Sequence, residues 1–161
     1  MGVRDGLGKN ACASVGAKAS RSMKRRIFIS FSHDDTQQVN GFLGLRNILD
    51  GFEFYNHKLD RRIQSTDDPY VQRVIRDEYL TSASVTIVLI GDKTADSKWV
   101  KWEIAESRRQ GKGILGIRLK GTAGRVPEGI PSNAVGGWEP DNFAGWIEWA
   151  AQNRPAATRA R

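Results

Sequence analysis

Ser84-Val85-Thr86-Ile87-Val88-Leu89-Ile90, then Gly91 to Asp96, then Ser97-Lys98-Trp99-Val100-Lys101-Trp102-Glu103-Ile104: this stretch decides the fold. Its first part is a continuous β-branched run without polar alternation, so it reads as a strand covered on both faces, as in a parallel sheet. Parallel strands need crossover connections, and the second part supplies a helix for one. Asp96 or Ser97 can cap that helix, because a short side-chain oxygen satisfies a free N–H of the first turn, and Gly111 can close it. Ligands in open α/β sheets bind beyond the carboxyl ends of the strands, where this helix begins. Trp99 and Glu103 are four residues apart and share one helix face, with Glu106 close beside them. Val100, Ile104 and Ser107 form the neighbouring stripe, suited to packing on the sheet. A carboxylate beside an indole at a strand end is a candidate working group; the competing reading is a solvated helical glutamate.

Outward from this unit, the chain alternates strands and helices. Arg26 to Phe31 is a first strand apolar enough to be central, and Ser32-His33-Asp34-Asp35 is the polar loop at its carboxyl end. Asp35 or Thr36 can cap a helix running to about Asp50, weakened locally by Gly41 and Gly44. Phe52 to Tyr55 is a short second strand. Asn56 to Asp68 is a long polar loop of mixed charge, of the kind that carries function more often than mere connection. Asp68-Pro69 opens the next helix, proline sitting well at a first helical position, with Val71, Val74, Ile75, Tyr79 and Leu80 as its apolar face. Lys112 to Leu119 is a fourth strand. Gly121 to Gly137 is Gly/Pro-rich and irregular, with a short edge strand around Ala134 to Trp138, and Asn142 to Gln152 is a last helix. The pattern predicts an α/β fold, flavodoxin-like, with a central parallel sheet of order 2-1-3-4-5 flanked by helices. In that order the first and third strands are neighbours at the topological switch point. The default binding cleft is bounded by Ser30 to Asp35, Gly91 to Glu103 and the loop Asn56 to Asp68.

Composition narrows the function classes. At 161 residues the chain has room for one domain with a proper core. The net charge of +7 and pI near 9.9 invite a nucleic-acid reading. The charge is unevenly placed, however: Arg4, Lys9, Lys18, Arg21, Lys24, Arg25 and Arg26 come early, and Arg154, Arg159 and Arg161 come late. Basic ends on a mixed-charge middle read as solvated tails before they read as a phosphate-binding arm. Residues 1–23, rich in Gly, Ala, Ser and Lys, are expected to be a disordered basic tail, 24–152 the folded domain and 153–161 a flexible tail. Met23 before Lys-Arg-Arg and a strand would make a natural start, with the tail an upstream extension. The single Cys12 cannot form an internal disulfide, which fits a reducing, cytoplasmic compartment. No apolar run approaches the roughly 18 residues of a membrane span.

Several chemistries lack their residues. There is neither a GxxxxGK[ST] phosphate loop nor a GxGxxG after the first strand. His33, His57 and Cys12 are too few for a structural zinc site, and no metal site is expected. Ser30 or Ser32 with His33 makes a poor hydrolase, since sequence neighbours rarely face each other correctly and no GxSxG elbow exists. Asp34 and Asp35 could bind magnesium as in a receiver domain, but the third strand ends in Ile90-Gly91, without the aspartate such a mechanism phosphorylates. The five tryptophans suit helix packing better than base stacking.

Ile27-Phe28-Ile29-Ser30-Phe31-Ser32 with Asp34 resembles the first conserved box of TIR domains. Ser97-Lys98-Trp99-Val100-Lys101-Trp102-Glu103-Ile104 resembles their "S.WC..EL" segment. The likeness runs from about Lys24 to Leu119, with both motifs in order. It departs from receptor TIR domains in the loop Asn56 to Asp68, which lacks "RD..PG", at Gly91 after the third strand, and at Val100 and Trp102. The pattern is more similar to the bacterial TIR-like proteins, ThsB type, of the Thoeris anti-phage system. That resemblance implies a three-layer TIR fold and an enzyme that cleaves the nicotinamide–ribosyl bond of NAD and releases a cyclic ADP-ribose-type signal, or ADP-ribose if water intervenes. It implies Glu103 as catalytic carboxylate and Phe28, Ser30, Ser32, Asp34 and Trp99 as substrate-binding positions, with Phe28 and Trp99 also open to a plain packing role. NAD is then substrate rather than cofactor, and no resident cofactor is expected. The partners implied are other TIR protomers, whose loop completes the pocket, and a separate effector addressed by the nucleotide. The alternative is a non-catalytic TIR scaffold in immune signalling.

Overall fold

The computed structural model describes residues 24–45, 49–55 and 68–155. Five strands form one all-parallel sheet in the order β2-β1-β3-β4-β5. They are β1 (Arg25–Phe31), β2 (Phe52–Tyr55), β3 (Val85–Ile90), β4 (Gly113–Arg118) and β5 (Val135–Gly136). The helices are α1 (Thr36–Leu43), α2 (Asp68–Val74, continuing as a π-helical segment Ile75–Leu80), α3 (Lys98–Arg109) and α4 (Pro140–Gln152). The flavodoxin-like order expected from the alternation of elements is therefore the one observed.

Strand alternation sorts the core into two layers. Ile27, Ile29 and Phe31 of β1, with Val85, Ile87 and Leu89 of β3, pack under Val39 and Phe42 of α1 and Phe143, Trp146 and Ile147 of α4. On the other face, Val88 and Ile90 meet Val100 and Ile104 of α3. Phe28 meets Val71, Ile75, Tyr79 and Leu80 of α2 on that same side. All six residues of β3 are buried, which is what a continuous apolar run between two helical layers requires.

Helix α3 has well-defined ends. The Ser97 hydroxyl caps it by accepting the Val100 N–H at 3.3 Å. At the other end Lys112 N–H reaches the Ser107 carbonyl at 3.0 Å and Gly111 N–H reaches that of Arg108 at 3.1 Å. This is a Schellman closure, and its left-handed residue, Gly111 at φ 70, is one that only glycine occupies without strain.

Four expectations need adjusting. α1 stops at Leu43 rather than near Asp50, because Gly41 and Gly44 lower its helical propensity and Leu45 N–H turns back to the Phe42 carbonyl; residues 46–48 lie outside the described residues. The edge strand is confined to Val135–Gly136, and α4 begins at Pro140, a residue that fits a first helical turn. Lys24, Arg25 and Arg26 do not form one solvated basic arm. Arg25 lies in β1 and grips Glu148 of α4 with two hydrogen bonds, 2.9 and 2.8 Å, while Arg26 lies 3.8 Å from Glu53. The expected tail 1–23, the loop 56–67 and residues 156–161 lie outside the described residues.

Candidate active site

Glu103 sits in the second turn of α3 and is 0% exposed. Val100, Glu103, Ile104, Glu106 and Ser107 are the buried positions of this helix, so the arc facing the sheet is wide enough to include the carboxylate. That excludes the solvated glutamate. A carboxylate in such a place needs hydrogen bonds, and Ser30 of β1 supplies one, its hydroxyl donating to Glu103 Oε1 at 2.7 Å. Ser30 is itself 0% exposed and pairs in register with Val88 of β3. The two motifs, far apart in sequence, meet in this one contact, beside the switch point between β1 and β3.

A second buried polar pair lies one helical turn further along α3. The Ser107 hydroxyl donates to the Glu103 carbonyl at 2.7 Å, and Thr86 of β3 lies 2.8 Å from Ser107 Oγ. Since the single hydroxyl hydrogen of Ser107 is engaged, Thr86 is the donor in that pair.

The remaining predicted residues divide. Ser32 is buried where β1 ends, and its carbonyl accepts the Asp35 N–H at 2.9 Å. Asp34 is exposed on the short 3-10 turn His33–Asp35, at the rim. Phe28 is fully buried against α2. Trp99, half-buried in the first turn of α3, packs on that same cluster and meets Trp102 edge to face at 6.1 Å. Glu103 and Ser30 are thus brought together, Ser32 lies two residues beyond Ser30 and Trp99 one turn before Glu103, and Phe28 and Asp34 occupy the core and the rim. With Glu103 closed from solvent, a ligand could reach it only after part of this rim moves.

Asp35 matters more than the sequence suggested. Its carboxylate lies against Gly91 where any Cβ would be, and accepts from Thr94 Oγ1 at 3.2 Å. Thr94 Oγ1 in turn accepts the Gly91 N–H at 2.7 Å. The glycine after β3 thereby has a physical reason: it admits the acidic group that ties the β1 loop to the β3 loop. Gly91→Ala should therefore destabilise the protein by about 1–3 kcal/mol in chemical denaturation. Adding Asp35→Ala should recover part of that loss, whereas fully additive losses would mean the two residues do not collide.

Near the far end of α3, Glu106 accepts from Arg109 Nε at 2.9 Å, Arg109 Nη2 and Gln110. The Arg109 hydrogen bonds hold its carboxyl below the ordinary value of 4.5, against the opposing effect of burial, and Gln110 adds to the lowering. A carboxyl lowered on folding stabilises the protein above its unfolded value and loses that contribution as pH falls through its folded value. The Tm gap between wild type and Glu106→Gln should accordingly be present at neutral pH and close in acid. A gap independent of pH would contradict the pairing.

Residues 28–124 match the family described as "Thoeris protein ThsB, TIR-like domain". A Bacillus cereus (strain MSX-D12) protein named "Putative cyclic ADP-D-ribose synthase ThsB1" is 29% identical over 102 residues. That alignment covers 60% of this chain and 53% of the relative, so it spans about half the relative's length. No helix among the described residues is long and apolar enough to cross a membrane.

Proposed function

The chain belongs to the Thoeris ThsB TIR-like family, and from that premise we propose that it cleaves the nicotinamide–ribosyl bond of NAD and forms a cyclic ADP-ribose-type signal for anti-phage defence in the cytoplasm. The observation that carries this reading is the fully buried Glu103, hydrogen-bonded by Ser30 beside the switch point of a parallel sheet. Loss of nicotinamide builds oxocarbenium-like positive charge on the ribose. A carboxylate fixed in a dry site stabilises that charge far better than water does. Enclosure also bears on the outcome of the reaction. Keeping water from the ribosyl centre favours attack by a group within the nucleotide, which closes a ring, over hydrolysis to ADP-ribose. Ser32 and Trp99 would bound the sugar, and Asp34 would meet the more exposed part of the nucleotide. Because Glu103 is enclosed, turnover requires an opening step, which contact with another TIR protomer would supply. The product would then address a separate effector protein.

Concentrated protein incubated with NAD in heavy-oxygen water tests this reading. Nicotinamide should appear with a cyclic product that carries no label from water. ADP-ribose carrying one labelled oxygen would mean a hydrolase instead.

The enclosure of Glu103 also favours a second reading, a non-catalytic TIR scaffold in which the Ser30–Glu103 contact only ties α3 to the sheet. Self-association or partner capture without nicotinamide release, at the highest protein concentrations attainable, would support it.

A further inference from the structure

We infer that Thr86 and Ser107 form a positioning pair that sets where the Glu103 carboxylate lies. The inference rests on the reading of Glu103 as the working carboxylate. The hydrogen-bond chain runs from Thr86 on β3 to Ser107 on α3 and on to the carbonyl of Glu103 itself, with distances of 2.8 and 2.7 Å. Both side chains are 0% exposed, at positions between helix and sheet where valine and alanine would pack without any polar demand. Replacing both members of a buried hydroxyl pair by apolar groups of similar shape is nearly neutral for stability, so packing alone gives no reason for the pair.

Geometry does give one. Ser107 lies one turn after Glu103, and a serine hydroxyl bonded to the carbonyl four residues back bends a helix locally. Thr86 holds that serine from the sheet and so fixes the rotation and axial register of the turn bearing Glu103. Thr86 and Val88 lie on the same face of β3, and Val88 is the register partner of Ser30. Glu103 is therefore held at its side chain from β1 and at its backbone from β3. A carboxylate must meet a developing charge within a fraction of an ångström, and a second anchor on a neighbouring strand meets that requirement.

The test compares Thr86→Val, Thr86→Ser and the double variant Thr86→Val/Ser107→Ala with wild type, in full-length protein. One readout is kcat and KM for NAD. The other is the side-chain carboxyl carbon signal of Glu103 in carbon-labelled protein, identified by its loss in Glu103→Gln. Thr86→Val should lower kcat about tenfold with KM unchanged and should move the Glu103 signal. Thr86→Ser, which keeps the hydroxyl, should restore both. The double variant should be no slower than Thr86→Val, because the two residues act in one chain. Wild-type kcat and an unmoved signal in Thr86→Val would overturn the inference, as would a matched loss in Thr86→Ser. If wild type releases no nicotinamide while the signal still moves in Thr86→Val alone, the placement of Glu103 by this pair stands and the enzymatic reading falls.

Discussion

Phe28→Ala should destabilise the protein by about 3–5 kcal/mol, lowering Tm by roughly 10–20 °C. The ring is fully buried between β1 and α2, against Val71, Ile75, Tyr79, Leu80 and Ala83. Its removal leaves a cavity that a sheet covered on both faces cannot collapse to fill. Phe28→Leu keeps most of the volume and should cost only about 1 kcal/mol. The pair of variants separates the two roles open to this position. If Phe28 acts through packing alone, the leucine variant turns over NAD with an unchanged KM. If its ring faces the nucleotide, KM rises in a protein of nearly wild-type stability.

Glu103→Gln should reduce NAD turnover by about a thousandfold, or roughly 4 kcal/mol of transition-state stabilisation. The amide oxygen can still accept from Ser30, so the contact between α3 and β1 survives. Glutamine keeps the volume and shape of the enclosed side chain, and Tm should be unchanged. Loss of activity without loss of stability distinguishes a working carboxylate from a structural one. A residue needed only to hold the helix would lose stability when replaced and leave the turnover of the folded fraction intact.

The legible part of the molecule was its backbone plan. The apolar run Val85–Ile90, the cap at Ser97 and the closure at Gly111 depend on local periodicity and local backbone chemistry, which neighbouring residues display. The short α1 was less legible, since two glycines within an apolar helical pattern do not say which of them ends it. The site was half legible. Resemblance pointed to Glu103 and Ser30, but a helical wheel placed Glu103 beside the packing stripe, and the structure puts it inside that stripe. How wide an arc of a helix is covered depends on the sheet beneath it, which the helix sequence does not encode. Thr94 and Asp35 were hidden for a similar reason. Their partnership spans two loops and turns on the missing Cβ of Gly91, a three-body fit that no spacing rule reports. Ser107 could have been found, because it lies one turn from Glu103 on the same face.

Whether Glu103 breaks the nicotinamide–ribosyl bond is decided by nicotinamide release from NAD, followed for wild type and Glu103→Gln side by side at equal, high concentration. Steady release and a cyclic product are expected from the wild type, with almost none from a variant that melts at the same temperature. Equal release by the two proteins would contradict that role of Glu103, since the buried carboxylate beside Ser30 would then have no part in breaking the bond.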